Sequence, residues 1–352
     1  MALESKVSRL PSSGMTTSMQ VAHQAGVSRT TVSLVLNGAG SRFGLSAATQ
    51  ARVSAVAADL GYAPNSAARN LRRQRTNSIT FVCPDLGNPY FAEVIAAAQS
   101  AAHEHGYLVS IIDAHGEAAM LQAIARLRGS VSDGVITMAP TRAVRDGLRE
   151  LSARGIACVT LQDQAGDPAI PSVCIDLEAG GEAATSHLIS CGHRRIAHVS
   201  AVPSYPRSTD GRMLGYRRAL QQADLPTHPD WLVDAPNSMA GGADAVDRLL
   251  ARPGPRPEAL FMFNDQMAVG ALRALHLRGL RVPADMAVVG FDGIALGAFT
   301  TPALTTVEHP RHELGRQAAC SLVELLGGMT SVVPAKLLPG RLIVRESCGG
   351  RA

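Results

Sequence analysis

Short apolar runs alternate with amphipathic segments along most of the chain, from Ser78 onward. Runs such as SITFVC at 78–83 and ALFMF at 259–263 have the length of buried strands, and the segments between such runs have apolar residues at helical spacing. Strands that alternate with helices predict a parallel sheet covered on both faces. The alternation occurs in two rounds, about 78–174 and 177–308, so we predict two α/β lobes.

The N-terminal residues have a different pattern, which predicts three short helices. Thr17 and Gln20 form a capping box at the start of the first helix, and Gly26 supplies the residue with positive φ that ends it. Ser28 caps a second helix, and Ser46 precedes a third. The second helix carries Val32, Val35 and Leu36 on one side and Arg29, Thr30 and Ser33 on the other.

Two short helices joined by a glycine turn are typical of the helix-turn-helix motif, whose second helix enters the major groove of DNA. The alternative is an αα-hairpin within a helical core. We expect a disordered leader at 1–14 and a small all-α DNA-binding domain at 15–62, with a loop at 38–44.

The formal net charge of +4 is unevenly distributed. Residues 1–77 contain nine Lys or Arg and two acidic residues, so this segment carries +7 and residues 78–352 carry −3. A basic segment that contains a helix-turn-helix pattern favours binding to a polyanion such as DNA. A solvated basic arm is the alternative.

The composition argues against a membrane or secreted protein. Apolar residues make up 46%, yet no run approaches the ~18 residues of a membrane span. The first 14 residues lack the apolar stretch of a secretory signal. The six cysteines have no paired spacing, which is typical of a reducing compartment. We therefore expect a cytoplasmic protein.

The segment at 63–77 lies between the two patterns. Pro64 and Asn65 can begin a short helix, but the residues that follow are too few and too charged to be helical alone. Leu71 is the one large apolar residue there, and its arginine neighbours suit a wedge between DNA base steps. An ordinary linker is the alternative.

Polar residues follow the predicted strands at their carboxyl ends, where ligands of parallel α/β sheets bind. They are Asp85, Asn88, Gln162, Asn237, Asn264 and Asp292. Carboxylates and amides hydrogen-bond hydroxyl groups, so these side chains favour a ligand rich in hydroxyls.

No local pattern predicts catalysis, a cofactor or a metal ion. His187 and Cys191 are four residues apart, but His193 follows a glycine turn and His198 lies in a predicted strand, so the four need not converge. Asp265 is expected to cap a helix. No glycine-rich phosphate fingerprint follows the first strand. An α/β enzyme acting on sugars is a further alternative that no motif supports.

Eight separated motifs together resemble the LacI/GalR family of bacterial transcription regulators. They are VAHQAGVSRTTVSLVLN, LGYAPNSAARNL, NPYF, GHRRIAHVS, GRMLGY, NDQMAVGAL, GLRVPADMAVVGFD and TPALTTV, in this order over about residues 17–347. The resemblance implies a helix-turn-helix head, a hinge helix at 63–77 and a two-lobed core at 78–350, similar to periplasmic sugar-binding proteins. The implied lobes are about 78–174 with 310–337, and about 177–308 with 338–350.

The resemblance also implies function: a repressor that binds pseudo-palindromic operator DNA as a dimer and responds to a small molecule. The DNA contacts it implies are Thr17, Ser28, Arg29, Thr30, Ser33 and Asn37 in the head, and Asn65, Ala68, Arg69, Leu71 and Arg72 in the hinge. The effector contacts it implies are Asp85, Asn88, Phe91, Gln162, Arg212, Asn237, Asn264 and Asp292.

An arginine beside an aspartate suits adjacent hydroxyls, so the expected effector is a sugar or polyol. We expect few aromatic residues in the cleft. A nucleoside or other metabolite is the alternative effector. A sugar-binding protein without a DNA role is the alternative class, against which the basic head and the lack of a signal sequence argue.

The chain departs from the family pattern at two places in the head. Leu34 stands where many members have an arginine that reads guanine, so an atypical operator is expected. The loop at 38–44 is longer than usual and carries Arg42 and Phe43.

Overall fold

The computed structural model of the protein describes residues 16–62, 75–129, 132–138, 141–162, 167, 169–202, 210–328 and 336–350. The chain divides into two compact units, Met1–Gln74 and Arg75–Ala352. The predicted leader at 1–14 and the hinge contacts predicted at Asn65, Ala68, Arg69, Leu71 and Arg72 lie outside the described residues.

The N-terminal unit contains the three predicted helices, α1 (Ser18–Ala25), α2 (Arg29–Leu36) and α3 (Ala47–Asp59). The capping box is confirmed, because the backbone N–H of Thr17 donates to Gln20 over 2.7 Å and the Thr17 hydroxyl accepts from the backbone of Gln20. Gly26 ends α1 with a φ of 62°, as predicted. Val21, Val32 and Val53, one from each helix, are fully buried at the centre of a small shared core.

The segment at 38–44, which was predicted as a loop, contains a short helix. It contains a one-turn 3₁₀ helix (Ser41–Phe43) that the sequence pattern did not predict, since one turn is too short to show a period. The side chain of Phe43 is exposed.

The larger unit contains two six-stranded sheets, one in each lobe, as the alternation predicted. The strands of lobe one are β1 (Ser78–Cys83), β2 (Leu108–Asp113), β3 (Gly134–Met138), β4 (Ala157–Leu161), β5 (Ser172–Ile175) and β11 (Lys336–Leu338). Their order is β11-β5-β4-β3-β1-β2, and all the pairs are parallel. The helices of this lobe are α4 (Pro89–Glu104), α5 (Gly116–Leu127), α6 (Arg142–Ala153) and α11 (Arg311–Leu326).

The sheet of lobe two has the order β12-β10-β9-β8-β6-β7. Its strands are β6 (Ile196–Val202), β7 (Leu232–Pro236), β8 (Ala259–Met262), β9 (Ala287–Asp292), β10 (Thr305–Glu308) and β12 (Arg341–Ile343), of which only the β10–β12 pair is antiparallel. Its helices are α7 (Leu177–Ser190), α8 (Gly211–Gln222), α9 (Met239–Ala251) and α10 (Asp265–Leu277).

The chain passes from one sheet to the other three times: between β5 and α7, between β10 and α11, and between β11 and β12. Residues at the carboxyl ends of the parallel strands in both lobes therefore lie near these crossings, where a ligand site is expected. Among the described helices, none is long and apolar enough to cross a membrane.

Candidate functional site

The outer side of α2 presents the residues that the family resemblance assigned to DNA. Arg29, Thr30, Ser33 and Asn37 are all exposed, and their spacing places them on one side of the helix. The amide nitrogen of Asn37 donates to the backbone carbonyl of Ser33 over 2.7 Å, which orients that side chain at the end of α2. Thr17 and Ser28 are also exposed, with their hydroxyls used as helix caps. Leu34 is half-buried.

A cavity of about 520 Å³ lies between the two lobes of the larger unit. Every residue that was predicted to contact an effector lines it: Asp85, Asn88, Phe91, Gln162, Arg212, Asn237, Asn264 and Asp292. Sequence reasoning missed several other lining residues, among them Tyr90, His115, Met138, Thr141 and Phe263.

Arg212 is the centre of the wall that lobe two contributes. Its guanidinium carbon lies 4.2 Å from the ring centre of Phe263 and 4.5 Å from that of Phe291, so two aromatic faces hold the cation. The carboxylates of Asp210 and Asp292 are 3.7 and 3.8 Å away, beyond hydrogen-bond distance. Nε of Arg212 has no hydrogen-bond partner among the described residues. A ligand in the cavity can therefore accept from this guanidinium.

Close packing of α7 against α8 fixes the backbone of Arg212. A Cβ atom on Gly181 of α7 would lie 2.5 Å from the carbonyl oxygen of Arg212, and one on Gly215 of α8 would lie 2.1 Å from the carbonyl oxygen of Glu178. Only glycine permits this approach at the two positions. At the start of α8, Asp210 caps the helix by accepting from the backbone N–H of Arg212 over 3.1 Å.

Asp292 ends β9 with a φ of 113°, a left-handed conformation that is uncommon for aspartate. Burial raises the pKa of its carboxyl group to about 8, with the neighbouring Asp265 acting in the same direction and Arg212 and Arg311 opposing it. The guanidinium of Arg311 donates to the backbone carbonyl of Asp292. Near neutral pH, the carboxyl group can therefore carry a proton and donate as well as accept.

The prediction that Asp265 caps α10 is wrong, because Asn264 is the cap. The side-chain oxygen of Asn264 accepts from the backbone N–H of Met267 over 2.9 Å, and its nitrogen donates to Asn237 over 2.7 Å. Asp265 is fully buried and accepts from the Thr306 hydroxyl over 2.6 Å, and burial raises its pKa to about 7. Adjacent Asn and Asp both suit a cap, and only the packing of β10 against α10 distinguishes them.

Lobe one contributes amide side chains that are already hydrogen-bonded. Gln162 has a φ of 60°, and its oxygen accepts from the backbone N–H of Ile175 over 3.0 Å while its nitrogen lies 3.3 Å from the Tyr90 hydroxyl. Asn88 is buried and caps α4 by accepting from the backbone N–H of Tyr90 over 3.0 Å. Asp85 accepts from the backbone N–H of Gly87 over 2.8 Å.

Three aromatic residues line the cleft, Tyr90, Phe91 and Phe263, of which the family resemblance had assigned Phe91 to the effector. Tyr90 and Phe91 lie in the first turn of α4, which the Asn88 cap directs at the cavity, and Phe263 follows β8 directly. The sequence signal was present, since all three stand beside polar residues at strand ends. The apolar character of Tyr90 and Phe263 made these two indistinguishable from core residues.

A three-helix head with an exposed polar face on its second helix, and a two-lobed α/β unit with a polar cavity, define a DNA-binding regulator with a ligand-binding domain. The chain belongs to the LacI family of bacterial regulatory proteins. It matches that family over residues 19–65, and matches the periplasmic binding proteins and sugar-binding domain of the LacI family over residues 76–337.

Characterised relatives are repressors. The chain is 33% identical to the HTH-type transcriptional repressor PurR of Aliivibrio fischeri strain MJ11, covering 88% of this chain and 91% of the relative. It is 32% identical to the HTH-type transcriptional repressor CytR of Escherichia coli K12, covering 94% and 96%.

Solved structures agree with this assignment. The lac repressor dimer bound to operator and the anti-inducer ONPF matches with a TM-score of 0.84 and 28% identity, over 95% of this chain and 99% of that one. The complex of the transcriptional regulator CelR with cellobiose matches with a TM-score of 0.71 and 30% identity, over 94% and 99%.

Proposed function

We propose that this protein is a transcriptional repressor whose affinity for a pseudo-palindromic operator is controlled by a sugar or polyol bound between the lobes. The observation that carries this proposal is the buried Arg212 guanidinium, held between Phe263 and Phe291 with its nitrogens beyond hydrogen-bond distance of both carboxylates. Polar ligand oxygens are the partners that such a cation needs, since burial makes an unmatched donor costly.

The residues beside Arg212 favour hydroxyl groups on the ligand. Asp292, Asn264 and Asn237 lie on the same wall and provide both donors and acceptors. The cavity of about 520 Å³ falls within the usual size range of small-molecule sites. CelR, a relative in structure, is complexed with the sugar cellobiose.

A nucleoside is the second candidate effector, favoured by the aromatic lining. Tyr90, Phe91 and Phe263 all face the cavity, and a flat base can stack on aromatic rings of this kind. The ribose of a nucleoside also carries the adjacent hydroxyls that Arg212 and Asp292 suit.

We propose that the protein acts on DNA as a homodimer. Leu108 and Ile111 on the edge strand β2 are 71% and 39% exposed, and Leu277 at the end of α10 is 64% exposed. Apolar side chains on an edge strand are usually covered in a working assembly. The matching lac repressor structure is itself a dimer on its operator.

In the proposed switch, an effector that prefers one arrangement of the lobes shifts the operator affinity by a coupling energy of typically ~1–3 kcal/mol. The major-groove contacts in this switch are Arg29, Thr30, Ser33 and Asn37, with support from Thr17 and Ser28. The minor-groove contacts are Leu71, Asn65, Ala68, Arg69 and Arg72. The site of action is the nucleoid, in the cytoplasm.

A thermal-shift screen tests the effector claim. The full chain is heated with cellobiose, monosaccharides, polyols and nucleosides in separate wells, and a hit is a raised midpoint that increases with ligand concentration. Stabilisation by sugars but not nucleosides supports the sugar assignment, and the reverse supports the nucleoside. Stabilisation by neither class would contradict both.

A binding series on DNA tests the repressor claim separately. Duplexes selected from a random pool are compared with scrambled duplexes at several salt concentrations. Selected duplexes should bind more tightly than scrambled ones at every concentration, and affinity for both should fall as salt rises. Affinity that is indifferent to sequence and salt would refute DNA recognition.

A further inference from the structure

A second cluster of reactive side chains lies on lobe two, among residues that do not line the cavity. His187 and Cys191 are four residues apart at the C-terminal end of α7, and Cys348 ends the short 3₁₀ helix Glu346–Cys348. Nε2 of His187 is 3.1 Å from Sγ of Cys348 and 3.6 Å from Sγ of Cys191. All three atoms lie within 4.8 Å of one another.

Two neighbouring histidines take no part in this cluster, as the sequence led us to expect. Nε2 of His193 lies 3.2 Å from the backbone carbonyl oxygen of Cys348, so His193 holds the backbone of that turn. The ring of His198 stacks on Tyr216, with 5.4 Å between the ring centres. The sequence pattern missed Cys348 because it is distant in the chain from α7.

The spacing of the three atoms is that of ligands around one small ion. Zinc–sulfur bonds of about 2.3 Å and zinc–nitrogen bonds of about 2.0–2.1 Å place a sulfur and a nitrogen about 3.5 Å apart in tetrahedral geometry. The observed separations of 3.1 and 3.6 Å fall on either side of that value. His187 and Cys191 are half-buried, so a water molecule can supply a fourth ligand.

The surroundings of Cys348 suit a thiolate. The Thr305 hydroxyl donates to its sulfur over 3.1 Å, and the backbone N–H of Gly350 donates over 3.4 Å. Outer hydrogen bonds of this kind orient and stabilise metal-bound ligands.

The turn that carries Cys348 is itself firmly held. The Ser347 hydroxyl donates to the carbonyl of Val288 over 2.6 Å and accepts from the backbone N–H of Thr305 over 2.8 Å. A Cβ atom on residue 350 would lie 3.0 Å from Nε2 of His187 and 3.2 Å from Sγ of Cys191. The backbone of Gly350 therefore packs directly against His187 and Cys191, and a larger residue at position 350 would clash with them.

Two thiols and one imidazole favour a soft or borderline ion such as Zn²⁺, which has no geometric preference of its own. Mg²⁺ and Ca²⁺ prefer oxygen ligands instead. Cys348 is fully buried, which shields it from an electrophilic substrate and makes a catalytic thiol unsuitable here. We propose that His187, Cys191 and Cys348 bind a Zn²⁺ ion. The ion ties the C-terminal turn to the end of α7 and so stabilises lobe two.

Metal titration of the full chain, purified under reducing conditions, tests this site. The protein should bind about one Zn²⁺ per chain, and its unfolding midpoint should rise in Zn²⁺ relative to chelator. Co²⁺ in place of Zn²⁺ should give a sulfur-to-cobalt charge-transfer band and the intense visible bands of a four-coordinate site. If the chain binds no ion and shows no such band, the proposal is overturned.

Three variants and a control make the test specific to the cluster. His187→Gln and Cys191→Ser change half-buried residues and should abolish both the charge-transfer band and the stabilisation by Zn²⁺, while leaving the midpoint in chelator near that of the parent. Cys348→Ser should do the same if it folds. Cys320→Ser removes a cysteine that is also half-buried but lies on α11, and should change none of these readouts.

Retention of the cobalt band in both His187→Gln and Cys191→Ser would refute the assignment. A competing outcome is a disulfide between Cys191 and Cys348. Protein that binds no ion when reduced, yet in air becomes resistant to alkylation at both cysteines, would establish that outcome and overturn the metal site.

Discussion

Lobe one and lobe two line the same cavity with different chemistry. Lobe one contributes Gln162 and Tyr90, which lie within hydrogen-bond distance of each other, and Asn88, which is used as a helix cap. Lobe two contributes Arg212 and Asp292, buried ionisable groups 3.8 Å apart and not hydrogen-bonded to each other. The hydrogen-bonding groups named in lobe one are used within the protein, whereas Nε of Arg212 in lobe two has no partner among the described residues and is available to a ligand.

This contrast assigns different tasks to the two walls. Hydrogen bonds to a buried guanidinium are stronger than those between neutral groups, so lobe two should supply most of the affinity. Lobe one should supply shape and ring contacts, which distinguish one ligand from another. Substitutions on the two sides should therefore differ in size of effect.

The largest effect is expected for Arg212→Ala, which removes the central cation of lobe two. Affinity for the screen's best ligand should fall about 10- to 150-fold, because hydrogen bonds from a charged group contribute about 1.5–3 kcal/mol. Calorimetric titration measures the loss, and operator binding should persist. Arg217→Ala, on the exposed side of the same helix, should leave the affinity unchanged. Equal losses in both variants would contradict the role of Arg212.

The next effect is expected for Gly181→Ala, which acts on Arg212 through its backbone. The added Cβ would meet the carbonyl oxygen of Arg212 at 2.5 Å, so α7 and α8 must separate. We expect a loss of about 2 kcal/mol in the free energy of unfolding, measured in denaturant, with weaker ligand binding. Gly129→Ala is the control, because a Cβ there meets no atom within 4 Å. A neutral Gly181→Ala would show that this close packing does not position Arg212.

The third effect is a pH dependence expected from two buried carboxyl groups of lobe two. Burial raises the pKa of Asp292 to about 8 and that of Asp265 to about 7, from an ordinary value of 3.8. Between about pH 4 and 8 the folded chain therefore retains protons that the unfolded chain loses. The stability contributed by these protons is present below pH 4 and is lost as pH rises to about 8, by up to about 1.4 kcal/mol per pH unit for each group.

Asp292→Asn should flatten the decline in unfolding free energy between pH 5 and 8 without removing it, since Asp265 still titrates. Denaturant titrations at several pH values measure the slope. Asp85→Asn, on the wall of lobe one, should leave the slope of the parent intact. An unchanged slope in Asp292→Asn would show that its carboxyl group is ionised throughout this range.

The smallest effect is expected in lobe one, for Gln162→Leu. This change keeps the size of the side chain but removes the acceptor for the backbone N–H of Ile175. Because Gln162 lines the cavity, the loss of one neutral hydrogen bond from its amide to the ligand should lower the affinity about fivefold, corresponding to about 1 kcal/mol. The same titration measures it, with Tyr90→Phe as a variant that removes only the Tyr90 hydroxyl. If Gln162→Leu lowered ligand affinity as much as Arg212→Ala, the proposed difference between the two lobes would be wrong.

The sequence pattern predicted the regular elements well. Alternating apolar runs and helical periods predicted the two α/β lobes, and Thr17, Gly26 and Ser28 marked the ends of α1 and α2. Polar residues at strand ends predicted six of the residues that line the cavity, and the family resemblance supplied Phe91 and Arg212. These signals are local, since a cap or an amphipathic period is a property of neighbouring residues.

The pattern failed where an element is short or a role depends on distant partners. β10, β11 and β12 have three or four residues each, too few to show a period. Tyr90 and Phe263 resemble core residues until the lobes place them at the cavity. The cluster of His187, Cys191 and Cys348 depends on a contact between α7 and the C-terminal turn.

By itself, the amino-acid sequence determined the helical head with its basic charge, the two α/β lobes and the polar ends of their strands. These follow from periodicity and capping within short windows of the chain. Only the tertiary structure decided that Asn264 caps α10 while Asp265 is buried against Thr306, and that Arg212 is held between two rings. Burial and partner choice set the pKa of Asp292 and the donors available to a ligand, and both arise from residues that meet only when the chain has folded.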